Sequence, residues 1–430
     1  MASEHKPDSG AGQLDVYHDA RLVGTLFDSD PLSFEYARDW LSTDGAFSLP
    51  GVPLAPGRTA SEAVSALFEN LLPEGALRDY ISKQRHVSTT FSMLREVAGD
   101  TAGGLLILEH GQKPRPPAYE KVGWRKLAAL LSGTRGGAAI DIGLKHARIS
   151  LSGAQDKILI AIDDADGEPM LPLDESPSTH ILKPDIWRLP KIHHSAINET
   201  LVMQAAAKSG LQTAEVFYEP TTGACAVRRF DRLQQHGRLV RLLQYDLCQL
   251  NGTLSDRKYE SDGGPDIVRC AQLIREYSVQ PAVDLERLLA WVFFNLCVGN
   301  HDGHAKNLSI HHSPGRGAVL TPFYDLMCTR VYPGLSGQVA LSIGGENRPG
   351  NIRREHIVQM AGALGFRSDH LLDIAQRVAT AVVPALEAAL AELAPLLRPS
   401  GKTFAQRLQW KITRLAKQTS ARILGKISAP

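Results

Sequence analysis

Cysteine is scarce in this sequence: Cys225, Cys248, Cys270, Cys297 and Cys328 are scattered over 430 residues, odd in number and without a CxxC pair. That argues against a disulfide framework or a zinc ribbon and makes the cytoplasm the natural compartment. A surplus of charge is also lacking, since 47 lysines and arginines stand against 46 acids. A balanced chain has no general attraction for nucleic acid or anionic membrane, which leaves any such binding to local patches. Long hydrophobic runs are missing too. The strongest one, residues 291–298, is far short of the roughly 20 residues that span a bilayer. Residues 1–12 contain acids and no apolar stretch, unlike a signal or transit peptide. No fixed-period repeat is present, so a solenoid is not expected. These absences together lead to an expectation of a soluble, cytoplasmic protein with no membrane partner.

At 430 residues and 46.8 kDa, the chain exceeds the size at which one hydrophobic core stops growing, so at least two domains or lobes are expected. Residues 14–17 and 21–26 alternate as a strand hairpin, and helical periodicity follows over 60–72 and 91–97, before an apolar strand at 104–108. This predicts a small α/β domain over residues 12–110. The stretch Gly111-Gln112-Lys113-Pro114-Arg115-Pro116-Pro117-Ala118 breaks every period and reads as a linker, 111–119. Beyond it, strands are predicted at 157–162, 169–173, 179–182, 214–218 and 224–228, with a helix over 196–209 closed by Gly210. From about Gln244 the pattern is mostly helical. A β-rich lobe (120–240) therefore precedes a helical lobe (241–430), an α+β arrangement.

The helix predicted over 284–298 is apolar on nearly all sides and should be buried and rigid. It delivers the polar run Asn300-His301-Asp302-Gly303-His304-Ala305-Lys306-Asn307. Phosphoryl transfer needs a carboxylate for the hydroxyl proton, oxygen ligands for magnesium and positive charge against phosphates. Asp302 and Asn307 have the Asp-x-x-x-x-Asn spacing of a kinase base and metal ligand. Asp325, in Phe323-Tyr324-Asp325-Leu326-Met327, follows after a strand, a turn and a strand, as a second metal-binding carboxylate would. Upstream, Ser152-Gly153-Ala154-Gln155-Asp156-Lys157 enters the first strand of the β lobe, where backbone amides suit phosphates. Lys183 ends the third strand, with Glu199 on the next helix as a candidate partner.

Each of these features also has a plainer reading. Asp302 and Asn307 fit a loop whose Asx side chains cap local turns. Lys183 fits a solvated strand end, and Glu199 a first-turn acid favoured by the helix dipole. His301 and His304 lack a further Cys or His nearby and read as structural hydrogen-bonders rather than metal ligands. The segment 402–426 carries seven lysines and arginines and no acid, interleaved with apolar residues. It suits DNA phosphates, but the favoured reading is a terminal helix docked by its apolar stripe with a solvated basic face.

The set Ser152-Gly153-Ala154-Gln155-Asp156-Lys157, Thr179-His180-Ile181-Leu182-Lys183-Pro184, Arg228-Arg229-Phe230-Asp231-Arg232, the loop 299–307 and Pro322-Phe323-Tyr324-Asp325-Leu326-Met327 resembles the HipA family of serine/threonine kinase toxins in order and spacing. The resemblance extends to Asn70-Leu71-Leu72-Pro73-Glu74-Gly75 and Asp100-Thr101-Ala102-Gly103-Gly104 in the first domain. It implies a two-lobed protein-kinase-like fold using ATP and Mg2+, with Asp302 as base and Asn307 and Asp325 holding the metal. Lys183 and residues 152–157 would contact phosphate, Arg228, Arg229 and Phe230 would form the hinge against adenine, and Tyr324 with His304, Ala305, Lys306 and Asn307 would line the nucleotide site. The resemblance places inactivating autophosphorylation at Ser150, with Ser152 beside it as a second candidate. It further implies a HipB-like helix-turn-helix antitoxin, DNA contact mainly through that complex, and a cellular protein substrate of the aminoacyl-tRNA synthetase kind. Growth arrest and persistence would follow. Two rivals stand beside this reading: a kinase-fold enzyme acting on a small molecule or lipid, and a non-catalytic co-repressor that assists an antitoxin on DNA.

Overall fold

A computed structural model describes residues 12–97, 99–132, 157–186, 189 and 191–425. The expected opening hairpin is present as β1 (Gln13–His18) and β2 (Arg21–Phe27), joined by β3 (Ser33–Tyr36), β4 (Arg58–Ala60) and β5 (Leu105–Glu109). They form a five-stranded antiparallel sheet in the order β4-β3-β2-β1-β5. Helices α1 (Arg38–Leu41), α2 (Glu62–Glu69), α3 (Gly75–Arg85) and α4 (Thr90–Val97) complete the domain. The helix expected over 60–72 is shorter for a local reason. The Ser61 hydroxyl accepts from the Val64 amide and caps its start, and the Asn70 carboxamide donates to the Ala66 carbonyl at its end. Helix α3 was not legible, because its sequence is polar and weakly periodic.

The second sheet has the order β10-β11-β9-β7-β8-β6 and is antiparallel throughout. Its strands are β6 (Tyr119–Lys121), β7 (Ile158–Ile162), β8 (Pro169–Pro172), β9 (His180–Lys183), β10 (Val216–Glu219) and β11 (Ala224–Arg228), with helices α5 (Gly123–Ser132) and α6 (Ser195–Lys208). A hairpin absent from the sequence expectation, β12 (Arg232–Gln235) with β13 (Arg238–Arg241), leads into β14 (Gln244–Asp246). Strand β14 pairs with β15 (Ser309–Ser313), which pairs with β16 (Gly317–Leu320). The helical lobe comprises α7 (Leu247–Asn251), α8 (Ile267–Tyr277), α9 (Pro281–Val298), α10 (Arg354–Leu364), α11 (Ser368–Leu393) and α12 (Pro399–Leu424).

One contiguous core runs from Leu14 through the helical lobe to Ile423, so the segment expected as a linker is not a break in packing. That segment is itself pinned, since the Arg115 amide donates to Glu175 and the Tyr17 hydroxyl to the Gln112 carbonyl. Helix α11 is long and apolar enough to cross a membrane by length and composition. Here it buries Leu371, Leu372, Ile374, Val378, Val382, Leu386 and Leu393 in the core, against α6, α9 and α12.

Candidate functional site

Helix α9 starts with Pro281 at its first position and buries Leu285, Leu288, Leu289, Trp291, Phe293, Phe294 and Leu296. Each such side chain is worth about 1.5–3 kcal/mol on burial, so the loop it delivers hangs from a rigid support. Gly299 closes the helix at φ +73°, and a Cβ there would stand 2.7 Å from Leu415. Past it, the Asn300 carboxamide donates to Asn295 at 3.0 Å, and the His301 amide donates to the Thr329 hydroxyl at 3.0 Å. Gly303 lies so close to Trp291 and Asn295 that a Cβ would crowd both at 3.1 and 2.9 Å. Helix-end geometry and contacts from Thr329 and Leu415 therefore leave the loop almost no freedom.

Across a cleft of about 500 Å³, within the range of small-molecule sites, stands the end of β9. There Lys183 Nζ donates to Glu199 Oε1 at 2.6 Å and to Asp325 Oδ1 at 2.8 Å. The Lys183 side chain is 10% exposed and that of Glu199 is 0%, whereas Asp325 opens on the cleft at 44%. Burial works against charge on Lys183, but the two carboxylates outweigh it and raise its pKa. Asp325 moves the opposite way: burial pushes it up, but Lys183, Lys157 and His304 hold it well below the usual carboxylate range. Lys157 enters the same cleft, where burial and the Lys183 charge push it down to about 8.

Asp325 adopts φ +59°, a conformation that costs a non-glycine residue about 1–3 kcal/mol. Its flanks impose it. Phe323 exchanges backbone hydrogen bonds with Gln212 and Ala214, and the Cys328 amide donates to Asn198. Asn307 Nδ2 donates to Asp325 Oδ2 at 3.3 Å, and Asn307 Oδ1 accepts from the His304 amide. The Asp325 carboxylate supplies hard oxygen donors, which suit magnesium, whereas Asn307 here turns its NH2 toward Asp325 and would join it as an oxygen donor after rotation of its carboxamide. Among the described residues no group of three His, Cys, Asp or Glu is arranged to hold a metal ion.

Asp302 sits deep in protein mass yet opens to the cleft, and Tyr259 donates to its Oδ1 at 2.8 Å. Burial raises its pKa, and Asp325 and Glu74 add to this, while the Tyr259 hydroxyl and Lys258 pull the other way. The net displacement is upward, toward what a proton acceptor needs. Phe230 and Tyr324 line the cleft with ring centroids 5.7 Å apart, and the Tyr324 hydroxyl donates to the Lys306 carbonyl at 2.9 Å. His304 also faces the cleft, and its burial pushes the imidazole down to about 3.

Four of the expected nucleotide-contacting residues are engaged by, or packed among, other groups of the protein. Lys306 Nζ donates to the Asn70 carbonyl and carboxamide at 2.9 and 2.6 Å, with Asp246 and Glu74 at 3.4 and 3.6 Å. Its ammonium ties the loop to the first domain. Ala305 is fully buried beneath the loop. Arg229, 1% exposed, turns its guanidinium away to Asp100 and Asp231, while Arg228 reaches outward to Glu215. Ser150, Ser152, Gly153, Ala154, Gln155 and Asp156 lie outside the described residues.

Sequence reasoning missed Tyr259, Lys258 and the chemical use of Glu74. It also missed the buried cluster around Asp100, which accepts from Arg229, Arg232, Arg241 and Ser178. Asn70, Glu74 and Asp100 all lie in motifs that carried the resemblance, so the signal was present but had no chemistry attached. Tyr259 gave no signal at all.

An antiparallel β lobe and a helical lobe, with a strand lysine, a loop aspartate and a second carboxylate meeting between them, define a two-lobed kinase-like α+β fold. Residues 14–108 match the HipA N-terminal domain and residues 149–386 the HipA-like C-terminal domain, and the chain belongs to the HipA family. It is 35% identical to a Sinorhizobium fredii protein named as a kinase, Y4mE, over 77% of this chain and 80% of that one. It is 29% identical to the serine/threonine-protein kinase toxin HipA of Shewanella oneidensis, over 89% of this chain and 90% of that protein. Among solved structures it resembles a chain of the HipA, HipB and operator DNA complex of Shewanella oneidensis MR-1. The TM-score is 0.78 at 26% identity, covering 96% of this chain and 97% of that chain.

Proposed function

We propose that this protein is a Mg2+- and ATP-dependent serine/threonine protein kinase and the toxin of a toxin-antitoxin pair. The observation that carries the reading is the Lys183 bridge to Glu199 and Asp325, with Asp302 lining the same cleft. In this reading Asp302 accepts the proton of the acceptor hydroxyl as its oxygen bonds to the γ-phosphorus and the bond to ADP breaks. Lys183 holds phosphate oxygens, and Phe230 and Tyr324 offer aromatic surface to the base. Asn307 and Asp325 would hold magnesium, which when bound neutralises phosphate charge. Residues 152–157 would cover the phosphates, and autophosphorylation would fall on Ser150 or Ser152.

The partner in the proposal rests on the HipA, HipB and operator DNA complex that the chain resembles, and the protein substrate on the family resemblance alone. A HipB-like antitoxin is the expected partner, DNA is met mainly through that complex, and the acceptor is a cellular protein such as an aminoacyl-tRNA synthetase. The test is phosphate transfer from labelled ATP to the protein itself and to proteins of a lysate, wild type against Asp302→Asn. Loss of a general base costs about 10²–10⁴-fold. Unchanged transfer in the variant would overturn the catalytic assignment. Transfer only to a small alcohol would favour the small-molecule rival, and operator repression without transfer in either protein the co-repressor.

A further inference from the structure

The loop 252–266 contributes to the cleft a side chain for which the phosphoryl-transfer reading has no role. Tyr259 stands between two short 3-10 turns, Ser255–Arg257 and Glu260–Asp262. The loop is clamped on both flanks. Glu69 of the first domain accepts from the Ser255 amide and hydroxyl at 2.9 and 2.7 Å, and Glu260 accepts from the Ser342 amide and hydroxyl, both at 2.6 Å. The Tyr259 ring meets His304 edge-on at 5.1 Å, and Lys258 Nζ lies 5.4 Å from its centroid. Lys258 is in turn held by Glu74 Oε2 at 2.6 Å. Burial pushes Glu74 up, but Lys306 and Lys258 outweigh it and keep it ionised. The phenol is thus fixed from three sides, with its hydroxyl donating to Asp302 Oδ1 at 2.8 Å.

We propose that Tyr259 is the positioning residue for the Asp302 carboxylate, and that the first domain sets it in place through Glu74 and Lys258. This rests on the reading of Asp302 as the base. A neutral donor on one carboxylate oxygen fixes the rotamer without neutralising the charge, and leaves the other oxygen to the acceptor hydroxyl. Misplacement of a reacting group by about 1 Å costs on the order of 10²-fold, so loss of one orienting hydrogen bond is expected to cost about 10-fold. The same domain also grips Lys306, four residues further along the loop, so both ends of the catalytic segment are referred to one scaffold.

The experiment uses the full-length protein and the phosphate-transfer assay above, with Tyr259→Phe made alone and in the Asp302→Asn background. Phenylalanine keeps the ring against His304 and Lys258 and removes only the hydroxyl. The expected result is a kcat about 10-fold lower with KM for ATP within about twofold, and no further loss when Asp302 is already Asn. Glu74→Gln should lower kcat by a smaller factor, and that loss should vanish in the Tyr259→Phe background. An unchanged kcat in Tyr259→Phe, or an equal loss in both backgrounds, would overturn the proposal. Failure of the underlying base assignment looks different, since Asp302→Asn would then be active whatever stands at 259.

Discussion

Asp100 offers the sharpest test of how the two domains are joined. Its carboxylate is 0% exposed and accepts from Arg229 at 3.0 Å, Arg232 at 2.7 Å, Arg241 at 3.2 Å and the Ser178 amide and hydroxyl at 2.8 and 2.6 Å. Arg229 and Arg232 are each 1% exposed, and the other carboxylate in reach is Asp231. Asp100→Asn changes the size of the side chain very little, but it strips the cluster of a charge and turns a carboxamide donor toward guanidinium donors. Breaking a buried pair in this way costs about 3–5 kcal/mol, a large share of the 5–15 kcal/mol that a native fold has in hand. A thermal scan of the purified protein at pH 7 should show Tm lower by about 3–6 °C. Adding Arg232→Met removes one surplus cation and should recover part of the loss.

The pH dependence of this difference follows from the direction of the pKa shift. Burial pushes Asp100 up, but the three arginines outweigh it and hold its pKa well below the unfolded value, which is about 3.9. Its contribution is therefore full above that unfolded value and lost as pH falls toward the folded one. The Tm gap between wild type and Asp100→Asn should be constant near neutrality and narrow below about pH 4. A variant that melts within about 1 °C of wild type at pH 7 would refute the idea that this network fastens the domains.

Two further outcomes separate catalytic from structural cations. Lys183→Met removes the charge held between Glu199 and Asp325 and should lower phosphate transfer by about 10²–10³-fold, measured on protein shown by circular dichroism to be folded; transfer within about threefold of wild type would refute it. Lys306→Met, by contrast, strips a buried cation from Asn70, Glu74 and Asp246 and should cost about 3–5 kcal/mol while KM for ATP stays within about twofold. A raised KM with an unchanged Tm would return Lys306 to the nucleotide.

What could be read from the sequence was what is local in it. An apolar helix ending in a dense polar run announces a held loop, and strand-end Lys183 and the Tyr324-Asp325 pair stand at legible element boundaries. The destinations of Lys306 and Arg229 were not legible, because their partners lie 236 and 129 residues away in the chain. A lysine inside such a motif reads as lining the nucleotide site until Asn70 and Glu74 are brought beside it. Helix α3 and the β12–β13 hairpin escaped for another reason: they carry little apolar periodicity and take their order from tertiary packing.

The same long-range contacts decide what the first domain is for. A detachable module meets its neighbour across a modest, largely polar surface. Here the first domain shares one continuous core with the helical lobe, and its Asp100 accepts from three buried arginines, Arg229, Arg232 and Arg241, two of which also pair with Asp231. Its Glu69, Asn70 and Glu74 hold the loop that carries Tyr259 and, at Lys306, the segment 300–307. Without that domain, Arg229, Arg232 and Lys306 would keep their charge in a half-emptied interior, a state that costs several kcal/mol per ion. The cleft therefore owes its geometry to three layers rather than two lobes: a β lobe that presents Lys183, a helical lobe that presents Asp302, and a first domain that fixes both relative to each other.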